Sequence, residues 1–385
     1  MDQSVATRGF FPSEYHSRLE RAQARMAMSG ISALLLTTEP EVRYFTGFLT
    51  RFWESPTRPW FLVVPAEGDP VAVIPSIGAH LMAQSWITDI RCWSSPDYED
   101  DGISLLAEAL AEAVPPGEWV GVPSGGETHL RMPLTDWEAL KHRLPDRLFG
   151  PDAGIMRKLR MVKSEAEIAC IRAACDVGTR AFARLPEILR PGVPLSEVFR
   201  RFQILALEEG ADWVPYLAGA AGPDGYGDVI SPASQTPLCE GDVLMLDTGL
   251  MRDGYFCDFD RNISLGTAAP GVLDAHARLL DAVQAGFAAA RPGARANDLF
   301  RAMAAITGGS DVGRLGHGLG MQLTEPPSLI AADDTRLEPG MVLTLEPGIA
   351  LSPSHMLVHE EDIVITETGA EWLTIPATSL PEVPV

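Results

Sequence analysis

Val243-Leu244-Met245-Leu246-Asp247-Thr248-Gly249, followed after three residues by Asp253-Gly254-Tyr255-Phe256-Cys257-Asp258, decides how the second half of this chain folds. The run from Val243 to Leu246 is apolar at every position, as a buried strand is. Asp253-Gly254 is a strong hairpin signal, because a tight two-residue turn needs positive φ and these residues tolerate it. Folding the chain about the midpoint between Arg252 and Asp253 sets Asp258 opposite Asp247. Directly opposed residues hold their Cβ atoms about 4.5–5.5 Å apart. Two carboxylates that close repel unless a proton or a cation lies between them. A lone Asp at a strand end ordinarily caps a turn, so the pairing matters more than either residue.

The same geometry recurs downstream. Glu346 ends the apolar run Met341-Val342-Leu343-Thr344-Leu345, and Glu360 begins the run to Ile365. They are symmetric about Pro353, so a second hairpin sets them face to face; strand alternation turns the neighbouring Glu361 the other way. Each glutamate alone reads equally as a solvated strand end. Two facing carboxylate pairs in one domain point instead to a bound cation. His317, in Gly316-His317-Gly318-Leu319-Gly320, is either a loop residue among glycines or one added nitrogen ligand. Four carboxylates with one imidazole suit Mn²⁺, Fe²⁺, Co²⁺ or Zn²⁺ better than a thiolate-bound metal. Two such ions about 3.5–4 Å apart share bridging carboxylates and activate a water between them.

Outward from these hairpins, helices are expected at 272–290 and 295–306, and strands at 242–248, 254–265, 341–350 and 357–366. Ser164 and Glu167 form a capping box for a helix burying Ile168, Ile171, Cys175 and Phe182, and Leu195 to Glu209 reads as a second amphipathic helix. The region 151–385 is therefore an α+β domain with a largely antiparallel sheet, and its halves read as distant copies of one helix–helix–hairpin unit. Residues 1–150 read as an α/β domain. Ser13 caps a helix that ends at Gly30; strands lie at 31–36, 60–65, 70–74 and 119–122, and helices at 103–113 and 134–143. Phe149-Gly150-Pro151-Asp152 punctuates the boundary.

Composition narrows the function. Of 385 residues, 52 are acidic and 30 basic, a formal charge of −22 that repels phosphate backbones and anionic membranes alike. No nucleic-acid or membrane partner is expected, and no window approaches the roughly 20 apolar residues of a membrane span. Met1 to Gly9 lacks a long apolar run, so no secretory signal is expected. The five cysteines include no C-x-x-C pair, which suits a reducing, cytoplasmic setting.

Asp247-Thr248-Gly249, Gly254-Tyr255 with Asp258 and Arg261, Gly316-His317-Gly318-Leu319-Gly320, Glu346-Pro347-Gly348 and Glu360 resemble, in order, the signature of family M24. That family includes the methionine and Xaa-Pro aminopeptidases, prolidase and creatinase. The resemblance extends to Tyr44-Phe45-Thr46-Gly47-Phe48 and Arg160-Met161-Val162-Lys163-Ser164-Glu165, and so over nearly the whole chain. It implies a creatinase-like α/β N-terminal domain and a pita-bread catalytic domain. It also implies a metal pair, most simply Mn²⁺, held by Asp247, Asp258, His317, Glu346 and Glu360. Asp247 then chelates one ion and His317 the other, Asp258 and Glu360 bridge, and Glu346 also shuttles the proton. The implied activity is hydrolysis of a C–N bond in a short Xaa-Pro-like peptide or small amide by a metal-bound water. The implied assembly is a homodimer.

Several positions depart from the peptidase pattern. Thr324 stands where a second histidine follows the ligand histidine by seven residues. Ile230 stands near the place of a substrate-side histidine, and Val358, with His359 beside it, stands where an arginine is common. Asp260 replaces a usual threonine. Thr324, His359 and Asp260 are accordingly expected to form a rebuilt substrate shell, with weak activity on ordinary Xaa-Pro dipeptides. An alternative activity is a creatinase-like hydrolase or a dimethylsulfoniopropionate-type lyase acting on a small osmolyte-like solute. A metal-free binding module fits poorly, since all five ligands are present. The loop Arg51 to Trp60 is either a packed surface loop or a lid on a neighbouring subunit's site, with Trp53, Arg58 and Trp60 touching a cationic substrate.

Overall fold

The N-terminal sheet is built outward from Ile31–Leu36, a strand whose apolar run leaves it covered on both faces. Its neighbours are Phe61–Pro65, antiparallel, and Trp119–Val122, parallel. Val71–Pro75 and Asp89–Trp93 extend one edge, and Leu148–Pro151 closes the other, giving six strands. One face packs Ala33, Leu35, Phe61 and Val73 against Ile103, Leu106 and Leu110 of the helix Ile103–Ala113. The helix Pro12–Ser29 buries Leu19, Ala22 and Met26, and stops where Gly30 takes φ 64°. Its N-cap is Phe11 rather than Ser13, because Pro12 occupies the first turn, where a missing N–H costs nothing. The structure, a computed structural model, describes residues 9–55, 59–308 and 313–385.

The aromatic loop of this unit is packed. Arg51–Glu54 makes a single 3₁₀ turn; Trp53 is 7% exposed and Trp60 1%, with their rings 5.7 Å apart. The Arg131 guanidinium lies 5.3 Å from the Trp53 ring and donates to the carbonyls of Trp53 and Ser55. Neither indole presents a face to a ligand, so the expected cation contact of Trp53 and Trp60 is not formed. Arg58 lies outside the described residues.

The chain divides into compact units at Met1–Arg160 and Met161–Val385. Gly150-Pro151, the divide expected from turn residues, lies at the end of the strand Leu148–Pro151. The second unit opens with the Ser164–Glu167 capping box and the helix Glu165–Ala183, followed by Leu195–Glu208. Phe182 packs on Phe202 and Phe259, joining both helices to a sheet ordered Glu382–Val383, Phe259–Leu265, Val243–Arg252, Trp213–Gly222. A second helix pair, Pro270–Ala289 and Ala296–Thr307, precedes a second sheet. Its order is Glu325–Ser328, His317–Gly318, Val342–Leu345, Glu361–Ile365, Ala370–Trp372. Val283, Leu299 and Met303 of those helices share a core with Leu343, Leu345 and Ile363 of that sheet. The chain is thus an α/β domain followed by an α+β domain in which helices, strands and a hairpin come twice in the same order.

Candidate metal centre

The first hairpin turns on Asp253 and Gly254 themselves. Both have positive φ, 50° and 81°, and Arg252 pairs with Tyr255 across them. The centre of the turn is therefore one residue later than the midpoint read from sequence. Continued down the ladder, this register sets Asp260, not Asp258, opposite Asp247. Asp258 reaches the cluster another way. It sits in the gap between Tyr255–Phe256 and Phe259–Leu265, where its N–H donates to Asp362 Oδ2 at 3.0 Å.

The second hairpin follows the expected register. Leu345 pairs with Glu361 and Gly348 with Val358, so Glu346 stands level with Glu360. His317 lies on the short strand beside Val342–Leu345. Gly316, at φ 134°, leaves no room for a Cβ, which would meet the Thr344 carbonyl oxygen at 2.2 Å. The ring Nδ1 of His317 faces the Gly318 carbonyl at 2.8 Å, so it carries the proton and leaves the Nε2 lone pair free. Nε2 is 3.4 Å from Asp258 Oδ2. One ligand atom each from Asp258, His317 and Glu360 lie within 4.8 Å of one another, and all three residues are buried. Asp247 completes the wall, its Oδ2 accepting from the Tyr216 hydroxyl at 3.1 Å.

Without a counter-charge this arrangement opposes itself. Burial, followed by the charge of Glu346, pushes Asp247 well above the usual carboxylate range. Burial and Asp247 do the same to Asp258, and burial and Asp258 to Glu360. Burial pushes Glu346 up to about 7, and the nearby Arg314 charge works against it. His317 is pushed down to about 4, chiefly by burial, so it is neutral at pH 7. Asp247 Oδ1 and Glu360 Oε1 are buried and have no hydrogen-bond partner. Orphaned carboxylate oxygens beside a neutral imidazole fit a divalent cation, which removes the repulsion and satisfies both oxygens.

The expected substrate shell is placed differently. Both nitrogens of His359 are engaged, Nδ1 with Asp260 at 3.2 Å and Nε2 with Glu361 at 3.1 Å. His359 and Asp260 are each 1% exposed, so neither is offered to a substrate. Ile230 is 79% exposed, and Val358 is buried in a core cluster with Tyr226 and Leu357. Thr324 is half-buried, its Oγ1 accepting from Arg314 Nη2 at 3.3 Å. Arg314 was not singled out from sequence. Its place beside Glu346 follows from the bond between the Glu346 N–H and the Leu315 carbonyl, 3.0 Å, and from its effect on Glu346 and Asp258. Tyr216 was also missed, since its strand carries no alternating pattern.

Relatives match this chain along nearly its whole length. The family model for "Metallopeptidase family M24" matches residues 169–367, and that for "Creatinase/Prolidase N-terminal domain" matches residues 18–162. The "Probable dipeptidase PepE" of Mycobacterium tuberculosis (strain ATCC 25618 / H37Rv) is 32% identical over 373 residues, 95% of this chain and 96% of that one. An "Xaa-Pro dipeptidase" of Lactobacillus delbrueckii subsp. lactis is 26% identical, covering 95% and 99%. Among solved structures, dipeptidase PepE from Mycobacterium ulcerans aligns with a TM-score of 0.83 at 29% identity, over 98% of this chain and 100% of that one. A prolidase from Thermococcus sibiricus gives 0.86 at 23% identity, over 97% and 100%, a likeness of fold. With both domains matched, and a relative of this identity aligned nearly end to end, the chain belongs to metallopeptidase family M24.

Proposed function

We propose that the protein is a dinuclear-metal-dependent peptidase that cleaves the C–N bond of a dipeptide or similarly short substrate. The observation that carries this reading is the buried group Asp258, His317 and Glu360 with buried Asp247 beside it, half-buried Glu346 level with Glu360, and the orphaned oxygens of Asp247 and Glu360. These residues would hold two divalent ions, Mn²⁺ ahead of Fe²⁺, Co²⁺ and Zn²⁺, which supply Lewis acidity toward the scissile carbonyl and the attacking water. Glu346 would accept a proton from the attacking water and return it to the departing nitrogen. Tyr216 orients Asp247 through its hydroxyl. Arg314, exposed and bonded to Thr324, is a cationic donor beside Glu346 where the peptidase pattern has a histidine.

The names of relatives, dipeptidase and Xaa-Pro dipeptidase, support the substrate class. A second reading, a creatinase-like hydrolase or lyase acting on a small solute, draws on Thr324, a neutral hydroxyl where the peptidase pattern has a histidine. A panel of dipeptides, Xaa-Pro dipeptides and small amides, tested with Mn²⁺-loaded protein, separates the two. Cleavage of any dipeptide at about 10⁴ M⁻¹s⁻¹ or more supports the peptidase. Turnover of small amides or solutes alone supports the second reading. The homodimer implied by the resemblance belongs to this proposal, and a monomer on sizing chromatography rejects it. The five cysteines, with no C-x-x-C pair among them, support a reducing, cytoplasmic setting. Among the described residues no helix is long and apolar enough to cross a membrane.

A further inference from the structure

Around the backbone of Glu360 lies a closed ring of four charged side chains. The Glu360 N–H donates to Asp260 Oδ1 at 3.1 Å, and Arg261 Nη1 donates to the Glu360 carbonyl at 3.3 Å. Asp260 Oδ1 also faces His359 Nδ1 at 3.2 Å. His359 Nε2 faces Glu361 Oε1 at 3.1 Å, and Arg261 Nη2 donates to Glu361 Oε2 at 3.0 Å. Arg261 Nη1 closes the circuit on the Asp260 carbonyl at 2.6 Å. Glu361 is tied further by the Ala377 N–H at 2.8 Å and by the Thr374 hydroxyl.

The ring has a definite charge pattern. A neutral imidazole donates from one nitrogen only, and both nitrogens of His359 face carboxylate oxygens. With Asp260 and Glu361 both ionised, the imidazolium satisfies both contacts. Signs then alternate around the circuit: Asp260 negative, His359 positive, Glu361 negative, Arg261 positive. His359 and Glu361 are the chain neighbours of Glu360, and Asp260 stands opposite Asp247 across the sheet. Such a ring does little as a substrate site, because it is closed. It does hold the main chain of one cluster carboxylate from both ends.

We propose that Asp260 and His359 are positioning residues that act as a pair, fixing the main chain of Glu360 so that its carboxylate is held for metal retention. The pair replaces, with a buried ion pair, the threonine usual at the first position in the family pattern. Removing Asp260 leaves buried His359 with Glu361 alone, and removing His359 leaves the Asp260 carboxylate with the Glu360 N–H alone, whereas neutralising both leaves no half-paired charge between them. Partners of this kind, hydrogen-bonded to a ligand rather than to metal, typically change metal affinity by about 10–100-fold when lost.

The inference rests on the metal reading above, and its test separates the two. Mn²⁺ affinity is measured by calorimetry on chelator-stripped wild type, Asp260→Asn, His359→Gln and the neutral double variant. Each single variant is expected to bind Mn²⁺ about 10–100-fold more weakly. The double is expected to lose less than the product of the two single losses, because contacting residues couple. The Mn²⁺ electron paramagnetic resonance spectrum of each loaded single variant should change, and that of the exposed control Arg301→Ala should not. Wild-type affinity in both single variants, or losses that simply multiply in the double, overturns the proposal. If the single variants do not fold, the double variant Asp260→Ala with His359→Leu, which removes both contacts, decides: weaker Mn²⁺ binding than wild type upholds the frame, and wild-type affinity overturns it. A wild type that takes up no Mn²⁺ refutes the metal reading itself, and the frame's role with it.

Discussion

The two carboxylate-bearing hairpins reach the same cluster by different means. The first is tight, turning on Asp253-Gly254 with paired residues directly beside the turn. Its strand is then interrupted, and Asp258 enters the cluster from that interruption, anchored to Asp362. The second is a pair of nested ladders, 342–345 with 361–365 and 348–352 with 355–358. Glu346 and Glu360 occupy the step between them. A tight turn makes the register exact and therefore sensitive to which two residues form it, since a shift of the centre by one residue moves every partner by two. A nested hairpin is more forgiving, because its symmetry survives the bulge between Ala350 and Ser352. In both, cluster residues lie where the ladder breaks, Asp258 in the first and Glu346 and Glu360 in the second, while Asp247 stays within regular pairing.

The largest expected effect separates Glu346 from the rest of its hairpin. Glu346→Gln preserves shape and removes the base, and turnover on any accepted dipeptide should fall by about 10²–10⁴-fold with Mn²⁺ retained. Wild-type turnover in that variant would leave the second hairpin as a metal holder only. Next is Gly316→Ala, which places a methyl group 2.2 Å from the Thr344 carbonyl oxygen at a φ of 134°. Denaturant titration should show a loss of about 2–3 kcal/mol, together with weaker metal uptake as His317 is displaced. Unchanged stability would mean that the strand beside His317 relaxes freely.

A smaller effect is expected in acid, beside the second hairpin. His276 packs against His359, ring centroids 5.6 Å apart, and burial pushes its pKa from 6.5 down to about 4. The unfolded chain therefore takes up a proton that the native chain refuses. Stability is present above about pH 6.5 and is lost as pH falls toward 4, amounting to about 2 kcal/mol at pH 5. His276→Leu should flatten that limb when denaturation midpoints at pH 7.5 and 5 are compared; an unchanged slope would assign the acid loss elsewhere. The smallest effect tests the first hairpin. Gly254→Ala puts a side chain at φ 81° and should cost about 1 kcal/mol, with metal uptake intact. Loss of metal uptake there would show that the turn, and not the Asp258–Asp362 anchor, places Asp258.

Much was legible before folding. The apolar run at Val243–Leu246, the Asp253-Gly254 turn, the symmetry of Glu346 and Glu360 about Pro353, and the Ser164–Glu167 cap are local signals, and local sterics and hydrogen bonding set them. The helix Glu39–Thr46 had such a signal too, a Thr38–Glu41 capping box, but it is short and starts with Pro40 in its first turn. The strand Trp213–Gly222 had none, its residues small and mixed in burial, and with it went Tyr216.

Chain order and periodicity determined the two-domain plan and the two hairpins, and the resemblance to the M24 signature pointed to the five cluster residues. Tertiary structure alone decided that Asp260 faces Asp247, that Asp258 hangs from Asp362, that Arg314 stands by Glu346, and that Trp53 and Trp60 are packed inward. It also decided that His359, read as a substrate contact, is enclosed by Asp260 and Glu361. The reason is physical. Hydrophobic period and turn chemistry act over a few residues and survive in the sequence. The charge state and partners of a buried side chain depend on groups brought from about 100 residues away, as Asp260 and His359 are, and no local pattern encodes that meeting.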